Sequence, residues 1–114
     1  AKGDGAAAKG LLEQALRAAP QDEMAHALYA TVLGVSGDAA GAIAHLNGVL
    51  KQLPQSVTIH RALGEAHARA RDLPASEAAY RKAFELADPK GDLPAYLGAA
   101  GGLGDALLSQ NKLD

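Results

Sequence analysis

The chain has 114 residues, enough for one modest domain, and its 48% hydrophobic content includes only 4% aromatic residues. The apolar mass is therefore mostly Ala and Leu, which favour helix, and the few β-branched residues argue against a sheet. Lys+Arg at 11 against Asp+Glu at 13, with no cysteine, exclude a basic footprint for nucleic acid, a polybasic lipid patch, a disulfide framework and a thiolate site.

No apolar run approaches the roughly 18 residues that span a bilayer. The compartment stays open between cytoplasm and periplasm. The alanine-rich composition points to a GC-rich bacterial source.

The organising feature is internal repetition at an offset of 34. Gly3-Asp4, Gly37-Asp38 and Arg71-Asp72 fall in step, as do Ala8, Ala42 and Ser76. Leu12, Leu46 and Tyr80 align, then Leu16, Leu50 and Phe84. Tyr29-Ala30 pairs with Leu63-Gly64, and Pro20 with Pro54, while Pro89 slips by one.

In chain order, the columns predict a first helix over Gly5–Ala19, entered through Gly3-Asp4. A second follows Pro20, over Asp22–Val35. Ser36-Gly37-Asp38 reads as stop, turn and N-cap, opening a third over Asp38–Leu53. The fourth runs Ser56–Ala70, and Arg71-Asp72 repeats the turn without its glycine before the fifth, Leu73–Ala87. After an Asp88–Gly91 loop comes a long sixth helix, Leu93–Gln110. Its glycines at 98, 101, 102 and 104 each cost about 0.5–1 kcal/mol relative to Ala, so tertiary contacts must hold it. Its register is open between an offset of 34, which matches Leu97-Gly98 to Leu63-Gly64, and one of 40, which matches Leu103-Gly104 instead. The second is preferred, because the first places Gln110 where a small residue should pack.

This pattern resembles the tetratricopeptide repeat, a helix–turn–helix unit that stacks on its neighbours. The resemblance implies an all-α fold, a right-handed α-α superhelix of antiparallel helix pairs with about six helices. It divides the chain into the second helix of one repeat (4–19), repeats at 21–54 and 56–88, and the first helix of a further repeat (92–111), an excerpt of a longer array. The chain departs from the family pattern at His26 and His60, where a large aromatic is usual, and at Ser76, where Ala is usual.

The resemblance also implies a protein–protein interaction scaffold and no enzyme, with another protein or peptide held on the concave face. The matching positions are Met24, Ala27, Thr31, Thr58, Arg61, Glu65 and Arg69. The family's clamp for a C-terminal carboxylate is not assembled, because its positions hold Ala27, Thr31, Arg61 and Glu65. Two alternatives stand beside this reading. One is a helical spacer or docking segment of a larger envelope, secretion or exopolysaccharide-assembly protein. The other is a self-assembling module that associates through uncapped ends.

Other chemistry finds little support. The histidines at 26, 45, 60 and 67 form no HExxH or close histidine–acid cluster, and His60 and His67 lie about 10 Å apart by helical rise. They are read as structural, with no metal and no cofactor. Ser36, Ser56, Ser76 and Ser109 read as caps near helix ends. No glycine cluster has the spacing of a phosphate loop. Gly98 and Gly102 are read as a place of close packing within the chain. Arg61, Glu65 and Arg69, like Glu77, Arg81 and Glu85, have the spacing of ion-pair ladders along a helix.

Overall fold

The computed structural model describes residues 2–113, with side chains described over 5–110. Among the described residues there are six helices and no strand: α1 (Lys2–Ala18), α2 (Glu23–Val35), α3 (Ala39–Leu50), α4 (Val57–Arg69), α5 (Leu73–Leu86) and α6 (Leu93–Leu113). All six predicted helices are present, with ends shifted by a few residues.

Two kinds of turn alternate between them. After α2 and α4 the chain reverses through a left-handed residue, Gly37 (φ 96°) and Arg71 (φ 67°). At the first turn Asp38 N–H donates to Leu33 O and Gly37 N–H to Gly34 O. At the second, Asp72 and Arg71 make the same pair of bonds to His67 and Ala68. This is the Schellman pattern, which satisfies the last carbonyls of a helix. The aspartate then caps the next helix: Asp38 accepts from Gly41 N–H at 2.8 Å and Asp72 from Ala75 N–H at 3.2 Å. Arg71 takes the left-handed turn although a side chain there costs about 1–2 kcal/mol.

The other turns carry proline and are capped by Asp22, Ser56 and Asp92, each accepting from the N–H three residues on. Helix α3 stops at Leu50, short of the expected Leu53: the N–H groups of Lys51 and Gln52 turn to carbonyls three residues back, and Pro54 disfavours helix at Leu53. Gly3-Asp4 does not form the predicted turn. Both residues lie in the first turn of α1.

Each helix packs on the next in the chain. In addition α2 packs on α4 and α4 on α6, while among the described residues α1 does not reach α3 and α3 does not reach α5. The layer whose members touch is the shorter, inner arc. Helices α2, α4 and α6 therefore form the concave side of an α-α superhelix, and α1, α3 and α5 the splayed outer side.

The core cluster is drawn from α2, α3 and α4, centred on Leu46 and Ile59, which are fully buried. The small residues at column positions make the close approaches. Tyr80 lies so near α4 that a Cβ on Gly64 would come within 2.7 Å of its ring. Ser76 is not a cap. It is buried in the body of α5 and its hydroxyl donates to Gly64 O at 2.7 Å. The hydroxyl is accommodated because it reaches a backbone acceptor on the opposite helix.

Helix α6 repeats the burial of α4 at an offset of 40. Ala99 and Ala106 are buried, as Ile59 and Ala66 are. At an offset of 34 the equivalent of buried Leu63 is Leu97, which is 58% exposed.

Candidate functional site

The inner faces of α2, α4 and α6 enclose an open-sided cavity of about 220 Å³. From α2 come Met24, Ala27, Leu28 and Thr31. These occur at helical spacing, so one stripe of α2 faces inward. Met24 is 58% and Leu28 46% exposed, leaving an apolar surface without cover. The Thr31 hydroxyl donates to Ala27 O at 3.0 Å, so its donor is spent within its own helix.

Helix α4 contributes Thr58, Arg61, Ala62 and Glu65. Arg61 is half-buried and lies against α6: a Cβ on Gly98 would stand 2.8 Å from its Cζ. Its place in the expected ladder is vacant, since Glu65 pairs with Arg69 at 3.1 Å instead. Among the described residues the ion pairs are Glu65–Arg69 and Glu77–Arg81, and Arg61 belongs to neither.

The wall is completed by Tyr80 from α5 and by Gly98 and Gly102 from α6. Gly102 leaves room for one edge of the Tyr80 ring, as Gly64 does for the other. Burial, and then the nearby Glu65 carboxylate, push the Tyr80 phenol above its usual value, so it stays protonated and able to donate.

Of the seven predicted groove residues, Met24, Ala27, Thr31, Thr58, Arg61 and Glu65 line this cavity. Arg69 does not. Its side-chain stem lies over Gly34 at the end of α2, where a Cβ would come within 2.8 Å of Arg69 Cδ. Tyr80, Leu28, Ala62, Gly98 and Gly102 were not anticipated as lining. The signal for the glycines was their four-residue spacing, read as close packing. The signal for Leu28 was its place one turn beyond Met24.

A second polar cluster lies where α2 meets α3. His26 Nε2 is 2.7 Å from Pro20 O, and His60 Nε2 is 3.0 Å from Pro54 O. These two histidines stand at the same repeat position and do the same work, bonding the carbonyl of the proline six residues earlier. A carbonyl only accepts, so the Nε2 of each ring carries the proton. In neutral His26 this leaves Nδ1 as an acceptor, and it faces His45 Nε2 at 2.9 Å. The His45 ring also packs on Tyr29, with centroids 4.7 Å apart. Burial, and then the charge of His26, hold His45 below its usual value. The outer side of His45 opens to Glu13 and Arg17 of α1. The nitrogens face one another across a hydrogen bond, and no group of three or more histidine or acidic side chains placed to hold a metal occurs among the described residues.

No curated protein matches the chain. A sequence model of the tetratricopeptide repeat matches residues 1–57 and again residues 30–91. Tetratricopeptide repeats mediate protein–protein interaction and are generally non-catalytic scaffolds. With the match running from residue 1 to residue 91, and with paired helices stacked throughout, the chain belongs to the tetratricopeptide repeat family.

Proposed function

We propose that the chain holds an extended segment of another protein along its inner groove. One observation supports this above the rest. Four helices converge on a single open cavity in which Met24 and Leu28 stay exposed next to a cation that no side chain among the described residues neutralises. Exposed apolar surface beside positioned polar groups is the usual make-up of a binding site. The groove is walled by helices rather than loops, so it is largely formed before a partner arrives, which lowers the ordering cost of binding.

Crosslinking of the full-length protein, followed by mass spectrometry, tests this. A variant combining Met24→Glu, Arg61→Glu and Glu65→Lys is expected to keep its helical circular dichroism and to lose its specific partners. Retention of every partner by that folded variant would place the binding surface elsewhere.

A further inference from the structure

The groove carries a charge pattern that says what kind of segment it accepts. Resting on the groove reading above, we propose that the bound segment carries an acidic side chain, that Arg61 selects it, and that an aliphatic side chain of the same segment sits on Met24 and Leu28.

The argument starts from Arg61. Its guanidinium has five N–H donors and cannot lose its charge. It is half-buried, laid flat along α6 at Gly98, where a Cβ would stand 2.8 Å from Cζ and 2.9 Å from Nη2. The carbonyls of a helix interior are already taken by the helix, so the α6 backbone at Gly98 offers Arg61 a surface but no free acceptor. Glu65, one turn away, is the carboxylate that could have answered it, yet Glu65 is held by Arg69 at 3.1 Å. Arg69 lies one turn from Glu65 on the same helix, and its stem passes over Gly34 of α2. The result is one matched pair and one positioned cation that has no ion-pair partner among the described residues. A planar guanidinium suits a carboxylate, which it binds through two parallel hydrogen bonds.

The groove also says where the acid goes. Tyr80, farther along the groove, faces the carboxylates of Glu65 and Asp105 together with the guanidiniums of Arg61 and Arg69, so that end already holds charge of both signs. Thr58 lies one turn before Arg61, on the other side, with no acidic neighbour lining the cavity there. The acid is therefore directed to the Thr58–Arg61 end.

Spacing follows from the helices. Packed helices such as α2 and α4 lie about 8–10 Å apart. A polyproline-II segment rises about 3.1 Å per residue and returns to the same side every third residue, a step of about 9 Å. An aliphatic residue on α2 and an acidic residue on α4 then stand three positions apart in the partner.

Selection from a displayed library of random peptides, using the full chain, tests this. The peptides recovered are then synthesised with amidated C-termini, so that only side-chain carboxylates are available, and also with free C-termini. Affinities are read by fluorescence anisotropy against the wild type, Arg61→Glu and Met24→Glu, each checked for helicity. The expected result is enrichment of Asp or Glu three positions from an aliphatic residue. Replacing that acid by its amide should weaken binding about ten- to hundredfold, the range of a hydrogen bond to a charged group. Arg61→Glu should cost as much, and should select Lys or Arg at the same position. Peptides that depend on Met24 but are indifferent to Arg61→Glu would overturn the acidic preference and leave the groove reading intact. Dependence on the free C-terminus alone would overturn it in favour of a terminal carboxylate. Peptides indifferent to both variants, or no enrichment at all, would overturn the groove reading with it.

Discussion

The hydrogen bond between His26 and His45 tolerates one added proton and not two. In the neutral pair His45 Nε2–H donates to His26 Nδ1. A first proton can reverse the direction of the bond, but a second leaves N–H facing N–H across 2.9 Å. Since His45 is held below its ordinary value in the fold, the unfolded chain binds more protons than the folded one as pH falls below 6.5. This contribution to stability is complete above that pH and is lost below it. Glu13, Arg17 and Tyr29 line the open side of the pair. Urea midpoints should fall between pH 7.5 and pH 5.5 (about one unit either side of the free histidine value), and His45→Asn should flatten that fall. An unchanged slope in the variant would assign the pH dependence to other groups. His60 provides the internal contrast: it makes the same bond to a proline carbonyl, but the residue matching His45 in its repeat is Ala79.

At the scale of the element, α6 depends on which of its glycines face something. Gly102 lies against the Tyr80 ring, so closely that a Cβ there has no room. Nothing lies within 4 Å of the equivalent position at Gly101. The same chemical change should therefore have opposite signs one residue apart. Gly101→Ala should stabilise by about 0.5–1 kcal/mol through helix propensity alone. Gly102→Ala should destabilise by about 1–3 kcal/mol through overpacking. Chemical denaturation of both variants checks this, and two changes of the same sign would mean that α6 is not seated on Tyr80. The caps of this fold were readable in the chain because capping is local: Asp22, Asp38, Ser56, Asp72 and Asp92 each act on an N–H three residues away. The role of Ser76 was not readable, because its acceptor lies 12 residues back on another helix.

For the whole molecule, stability should be graded along the stack. The buried cluster belongs to α2, α3 and α4, and each helix pair touches only its neighbours. In such arrays local stability is close to a sum of nearest-neighbour terms. Amide hydrogen exchange should be slowest in α3 and α4 and fastest in α1 and α6, and uniform protection would instead indicate a single cooperative unit. The amino-acid sequence by itself determined the repeat, its helices and many of the residues that line the cavity, Met24, Thr58 and Arg61 among them. Such features follow from periodicity and from capping, which act over a few residues along one chain segment. Only the tertiary structure decided the partners of individual side chains. Arg69 lies over Gly34, outside the cavity, and pairs with Glu65, while Arg61 has no ion-pair partner among the described residues. His26 met His45 across 19 residues of sequence, and Tyr80 found its seat between Gly64 and Gly102. These outcomes depend on how close two helices come and on which acceptor is nearest. Spacing along one segment does not contain that information.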